Sequence, residues 1–275
     1  MTTPLNDSIT LGQAPGTVDE IVRIADGAPV ALEKAALDNM ARVSSRIQRA
    51  IEQGQTIYGL TTGVGDLVTT RLSPDRMTDT QLNMLRSHAC GVGPDLTVRE
   101  VRAMMAVTLK SLLQGYSGVT PALAQRIADM LNRQVTPWSP AGGSVGYLIA
   151  TAHIGLAVFG EGKCWYQGEL LPAQQALTRA GIPPYVPGPR EGHALVGGTY
   201  EITAVGCLAV ADFQRLLPVA DMAGGMCLEA MRGNTRGYDA RLHALRPHPG
   251  QQETAQNLRR LLKGSEILAR YRAHR

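Results

Sequence analysis

The stretch YEITAVGCLAVADFQRLLPVADMAGGMCLEAM, residues 200–231, decides the fold class. It is apolar on most faces and interrupted only by Pro218 and by the pair Gly224-Gly225. As a helix at 1.5 Å per residue it spans roughly 45–50 Å. A surface helix carries one apolar stripe, so a helix this long and this apolar must be covered by other helices on most sides. The remaining helices are too few to complete that cover, which implies oligomerisation or a further domain. The expected fold is therefore mostly α, a long central helix in an incomplete bundle.

The composition agrees. Aromatic residues are only 4% of the 275, hydrophobic residues 44% and charged residues 18%, as in a globular helical protein rather than a disordered one. A net charge of +4 and a pI near 9.0 raise the question of nucleic acid. The basic residues are spread out, however, except for Arg259, Arg260, Lys263, Arg270, Arg272 and Arg275 near the C-terminus. They are not interleaved with aromatics, so a solvated face or a subunit contact is expected and no nucleic-acid partner. The cysteines Cys90, Cys164, Cys207 and Cys227 are far apart with no CxxC pair, which points to thiols in a reducing compartment. MTTPLNDSIT at the N-terminus has neither a basic nor an apolar signal region, and the longest apolar run, residues 145–159, is short for a bilayer and contains His153. A cytoplasmic protein without a membrane partner is expected.

Residues 1–16 read as an irregular arm, and 17–275 as one continuous portion of a larger domain. Thr17-Val-Asp-Glu20 and Thr97-Val-Arg-Glu100 are capping boxes that open helices stopped by Gly27 and Gly115. Apolar residues from Leu32 to Ile51 recur at steps of three and four, predicting an amphipathic helix over 31–53. Residues 58–70 have no such period and read as a loop. Pro121 suits the first turn of another helix. Residues 163–171 (KCWYQGELL) predict a hairpin turning at Gln167-Gly168, the one β element the pattern offers.

The six histidines form no metal site by spacing: there is no HExxH, and Pro247 lies between His243 and His248. Gly63-Val-Gly65 lacks the third glycine of a dinucleotide fingerprint, and there is no Gly-x-Ser-x-Gly elbow. What remains is Tyr58, at the mouth of a glycine loop able to close over a ligand, and His88, where a helix gives way to Gly91 and Gly93. Each has an alternative: a tyrosine anchoring its loop to the core, and a satisfied structural histidine.

Together these small motifs resemble the aromatic amino-acid ammonia-lyase family, histidine ammonia-lyase type. Tyr58-Gly-Leu-Thr-Thr-Gly-Val-Gly65 resembles its Tyr-Gly-x-x-Thr/Asn-Gly-x-Gly loop, and Ser87-His88-Ala-Cys-Gly-Val-Gly93 its Ser-His-x-x-Gly-x-Gly. Gly115-x-Ser117-Gly118, Gly143-Ser-Val-Gly146, His153, Gly160-Glu-Gly162, Glu191-Gly192, Gly198-Thr199, Asp239-Ala-Arg241 and Gly264-Ser265 follow in order. The resemblance implies a helical tetramer whose sites take residues from several subunits, and elimination of ammonia from histidine or another aromatic amino acid. It implies that Tyr58 is the catalytic base and that His88 lies beside the substrate ring. In the family an internal Ala-Ser-Gly or Thr-Ser-Gly cyclises into the electrophile 4-methylidene-imidazol-5-one.

The chain departs from that pattern in three places. After Gly146 three residues are missing where the tripeptide belongs, and the aspartate that follows it reads Tyr147 in the run Tyr147-Leu-Ile-Ala-Thr-Ala-His153, so the prosthetic group is expected to be absent and no other cofactor is implied. Gly197 stands where the family has asparagine. The resemblance covers the family's N-terminal half, its Gln-Asp-x-Tyr-Ser segment lying beyond Arg275. Three functions are therefore expected to compete: an ammonia-lyase-like protein, impaired or dependent on a C-terminal-half partner; a non-catalytic subunit or scaffold; and a divergent acid–base enzyme acting without the electrophile. An aromatic or imidazole small molecule, a homo-oligomer and a C-terminal-half protein are the expected partners.

Overall fold

The computed structural model describes residues 7–63, 69–70 and 76–272, so Gly65 of the tyrosine loop lies outside the described residues. The chain divides into two compact units, residues 1–209 and 210–275.

The first unit is built on two capped helices. Thr17 caps α1 (Val18–Ala25) and Thr97 caps α4 (Val98–Leu112), both with complete capping boxes in which the glutamate side chain returns the hydrogen bond. Between them lie α2 (Lys34–Glu52) and α3 (Met77–His88), and Pro121 opens α5 (Pro121–Asn132). The core lies along α4 and α5, where Met104, Leu109, Leu112, Leu123 and Met130 are fully buried. Each such side chain stabilises the fold by about 1.5–3 kcal/mol relative to exposure. Arg102 is buried among them. Its guanidinium donates to the carbonyls of Ile24, Ala25 and Leu131, so one cation satisfies the C-terminal ends of α1 and α5.

A second group of helices carries the candidate site: α3, α6 (Ile149–Val158) and the short α8 (Glu191–Val196) pack on one another. Glycines set their spacing. A Cβ on Gly155 of α6 would lie 2.6 Å from Leu85 of α3, and one on Gly192 of α8 would lie 2.4 Å from the Gln81 carbonyl. Any side chain there would force the helices apart.

The hairpin forms as expected, with β6 (Lys163–Tyr166) antiparallel to β7 (Glu169–Pro172), leading into α7 (Ala173–Arg179). Gln167 and Gly168 both have positive φ, 52° and 83°, the signs a two-residue hairpin turn demands. The expectation of a single β element was incomplete. Ile9–Leu11 (β1), within the stretch read as an arm, pairs in parallel with β2 (Val30–Leu32), which takes the first residues of the helix predicted over 31–53. Val92–Asp95 (β3) pairs with Pro140–Gly142 (β5), and Thr136–Pro137 (β4) with β6. These strands are two to four residues long, too short for alternation to register in sequence.

The long helix is present as α9 (Tyr200–Ala230), with Pro218 inside it. In the second unit a 3₁₀ turn (Thr235–Tyr238) and α10 (Ala240–Ala244), α11 (Pro249–Leu261) and α12 (Glu266–Arg272) follow. Asn257 donates to Asp221 at 2.8 Å, and Ser265 bonds Glu229. Within this unit Phe213, Leu216, Leu217, Val219, Met222 and Met226 remain exposed, which is the uncovered apolar surface the composition of residues 200–231 implied.

Candidate functional site

The threonines of the tyrosine loop tie it to the preceding turn. Thr61 accepts from the Ile57 amide at 2.7 Å and donates to the Gln55 carbonyl at 2.9 Å, while Leu60, Thr61 and Thr62 are buried. Tyr58 is 50% exposed. Its ring meets His193 edge-on, with centroids 6.2 Å apart and planes at 69°. His193 sits on α8, and its backbone amide donates to Gln81 Oε1 of α3 at 3.0 Å. Gln81 is itself fully buried.

His88 ends α3. Its Nδ1 lies 2.8 Å from the Met84 carbonyl and 3.1 Å from Ser87 Oγ. A carbonyl can only accept, so Nδ1 carries the hydrogen of that bond. Farther along the same segment the Gly91 amide donates to His153 Nε2 at 3.3 Å, and His153 packs edge-on against Trp138. His153 thus pins the glycine segment to α6. The structure therefore brings Tyr58 together with His193, while His88 is fastened to its own helix. Nothing in the motif spacing had marked His193 or Gln81. Neither stands out from the polar residues around it, such as Asp79, Thr80 and Asn83 on the same helix as Gln81.

A cavity of about 500 Å³ opens beside these residues, lined by Ser111, Ser117, Tyr147, Gly197, Thr199 and Tyr200. Neither Tyr58 nor His88 lines it. Tyr147 joins it to the turn that runs from Ser144 to Leu148. Ser144 donates to Glu201 Oε2 at 2.6 Å and receives the Gly146 amide at 3.1 Å, and the Ile202 amide donates to the Gly146 carbonyl at 3.1 Å. Leu148, at φ 73° and ψ −62°, completes the turn into α6, a left-handed value that costs a non-glycine residue about 1–3 kcal/mol. The electrophile is made from the atoms of Ala-Ser-Gly or Thr-Ser-Gly, and neither tripeptide occurs in the chain. Ser144 is followed by Val145 and engaged by Glu201, so the residues present do not fit that group.

Glu191 accounts for the Glu-Gly motif in structural terms. Fully buried, it accepts from the Thr120 amide and hydroxyl, the Gly188 amide and the Tyr185 hydroxyl at 2.6–3.2 Å. Burial, followed by the Glu191 charge, holds the Tyr185 phenol far above its ordinary pKa.

His153 and His193 both have pKa values lowered from 6.5, first by burial, with the Arg190 charge adding to the effect at His193. Their neutral forms belong to the folded state. Between those depressed values and 6.5 the unfolded chain binds more protons, so stability is full above that window and falls as pH drops through it. Urea midpoints should therefore be lower at about pH 5.5 than at about pH 7.5, and His153→Gln should reduce the difference. Equal slopes in variant and wild type would contradict the assignment.

Residues 17–275 match the family model for aromatic amino acid lyase. The chain is 43% identical over 257 residues to the histidine ammonia-lyase of Sorangium cellulosum, covering 91% of this chain and 50% of that protein. With the histidine ammonia-lyase of Alkaliphilus metalliredigens it shares 38% over 258 residues, 92% of this chain and 51% of the relative. Among solved structures, the tyrosine aminomutase of Streptomyces globisporus superposes with a TM-score of 0.92 at 32% identity, covering 98% of this chain and 52% of that one. The histidine ammonia-lyase of Trypanosoma cruzi does so with a TM-score of 0.86 at 31% identity, over 92% and 50%. The chain thus spans about half the length of the relatives it matches.

Proposed function

The chain belongs to the aromatic amino acid lyase family, and on that premise we propose that it is an ammonia-lyase-like protein whose ligand is an aromatic or imidazole amino acid. The observation that carries this is Tyr58: a half-exposed phenol on a loop that other residues anchor, in the position of the family's base. In this reading Tyr58 handles a proton and His88 lies beside the ligand ring. The ligand is handled without the methylidene-imidazolone group, which leaves ammonia elimination impaired. The loss of that group and of the asparagine at Gly197 favours a second reading, a non-catalytic subunit.

The protein works in the cytoplasm as a homo-oligomer. Exposed Phe213, Leu216 and Met226 support the association. Glu191–Ala230 is long and apolar enough to cross a membrane by composition, with a mean hydropathy of 1.5. The likeness to solved lyases and aminomutases instead supports its place as the central helix of the fold.

A thermal-shift series with histidine, urocanate, phenylalanine, tyrosine and the cinnamates tests the reading. A ligand at a hundred times its dissociation constant stabilises the folded state by about 2.7 kcal/mol. At least one of these should raise the melting temperature of the wild type. His88→Ala should weaken that effect, and Tyr58→Phe should leave it nearly intact while removing any turnover. If none of them shifts the wild-type transition, a retained family ligand site is excluded.

A further inference from the structure

We infer that His193 is a ligand-contacting residue of this site, donating a hydrogen bond past Gly197 to a carboxylate in the adjoining cavity. The inference rests on the reading above for the class of ligand. It begins with space. A Cβ on Gly197 would lie 3.5 and 3.7 Å from Cδ2 and Nε2 of His193, and 3.2 Å from its carbonyl. A side chain at 197 would therefore press on the His193 carbonyl and touch the edge of the imidazole. Gly197 lines the cavity and His193 itself does not, so the Nε2 edge of the ring lies next to a lining residue that has no side chain.

The ring's other side is closed. Nδ1 of His193 is buried and has no hydrogen-bond partner among the described residues. A buried N–H without an acceptor is costlier than a bare lone pair, so the proton resides on Nε2, which makes that atom a donor. Burial and Arg190 hold the ring neutral near pH 7. The surroundings suit an anion: the cavity presents the hydroxyl-bearing Ser111, Ser117 and Thr199. Arg190 also lies close to Gly118, 3.9 Å from where its Cβ would be. A neutral imidazole N–H beside a guanidinium is complementary to a carboxylate and not to an ammonium group.

The test compares trans-urocanate and L-histidine, which carry a carboxylate, with histamine, which does not, by thermal shift and titration calorimetry on the 275-residue chain. The carboxylates should stabilise the wild type and histamine should not. His193→Leu should weaken urocanate at least about tenfold, equivalent to about 1.4 kcal/mol. It should lower the melting temperature of the free protein by no more than loss of the edge-on Tyr58 contact accounts for, because Nδ1 makes no bond to lose. A merely structural histidine would show the reverse pattern. If His193→Leu does not fold, His193→Phe keeps the ring volume without the nitrogens and should show the same loss. Undiminished urocanate binding in these variants overturns the inference while leaving the family ligand site intact. Equal binding of histamine overturns the carboxylate assignment. If no compound binds the wild type, the reading of the site fails, and the inference with it.

Discussion

Glu191→Ala is expected to cost about 4 kcal/mol of folding stability, enough to leave the chain marginal at ordinary temperatures. The carboxylate is fully buried and is the shared acceptor of the Thr120 amide, the Thr120 and Tyr185 hydroxyls and the Gly188 amide. Alanine removes all of those bonds and leaves their donors in a space that water does not easily reach. Each hydrogen bond to a charged group contributes about 1.5–3 kcal/mol, and each stranded donor adds a desolvation cost. Thr120 caps α5 and Tyr185 stacks on Phe159, so the loss spreads to a helix start and an aromatic pair. Thermal unfolding should fall by about 10 °C. Glu191→Gln, which keeps one acceptor oxygen but turns an amide NH₂ toward a donor, should lie in between. An alanine variant within about 1 kcal/mol of wild type would show that these donors find other partners.

Release of ammonia from histidine by this chain is expected to fall at least about two orders of magnitude short of an ordinary enzyme. Positioned acids and bases alone supply about 10²–10⁴-fold, whereas enzymes accelerate their reactions by at least about 10⁶-fold. Tyr58 and the neighbouring histidines can move protons. Making an unactivated β-proton removable, however, requires an electron sink that the segment from Ser144 to Leu148 does not form. The intact mass should equal that of the printed sequence with no loss of water, and borohydride should leave any residual activity unchanged. Adding a C-terminal-half polypeptide should complete the apolar cover of the second unit without restoring turnover. Borohydride-sensitive release of urocanate at the rate of the full-length relatives would refute the proposed absence of the group.

The helices were legible because their signals are local. A capping box such as Thr17-Val-Asp-Glu20 is complete within four residues, and the apolar length of residues 200–231 announces a helix needing cover wherever it lies. The Gln167-Gly168 turn and the missing tripeptide after Gly146 were likewise readable, since both are matters of which residues follow one another. The two- to four-residue strands escaped because their pairing joins distant segments, as in Ile9 with Val30 or Val92 with Gly142. At the site, the sequence by itself offered Tyr58 as a candidate, through the family resemblance of its glycine loop, and showed which family residues are absent after Gly146 and at Gly197. Only the tertiary structure decided that Glu191 is a buried tether and that His193, not His88, meets the Tyr58 ring. Burial and ring contacts depend on which helices approach, and here that approach is set by Gly155 and Gly192, whose missing side chains let α6 and α8 close onto α3.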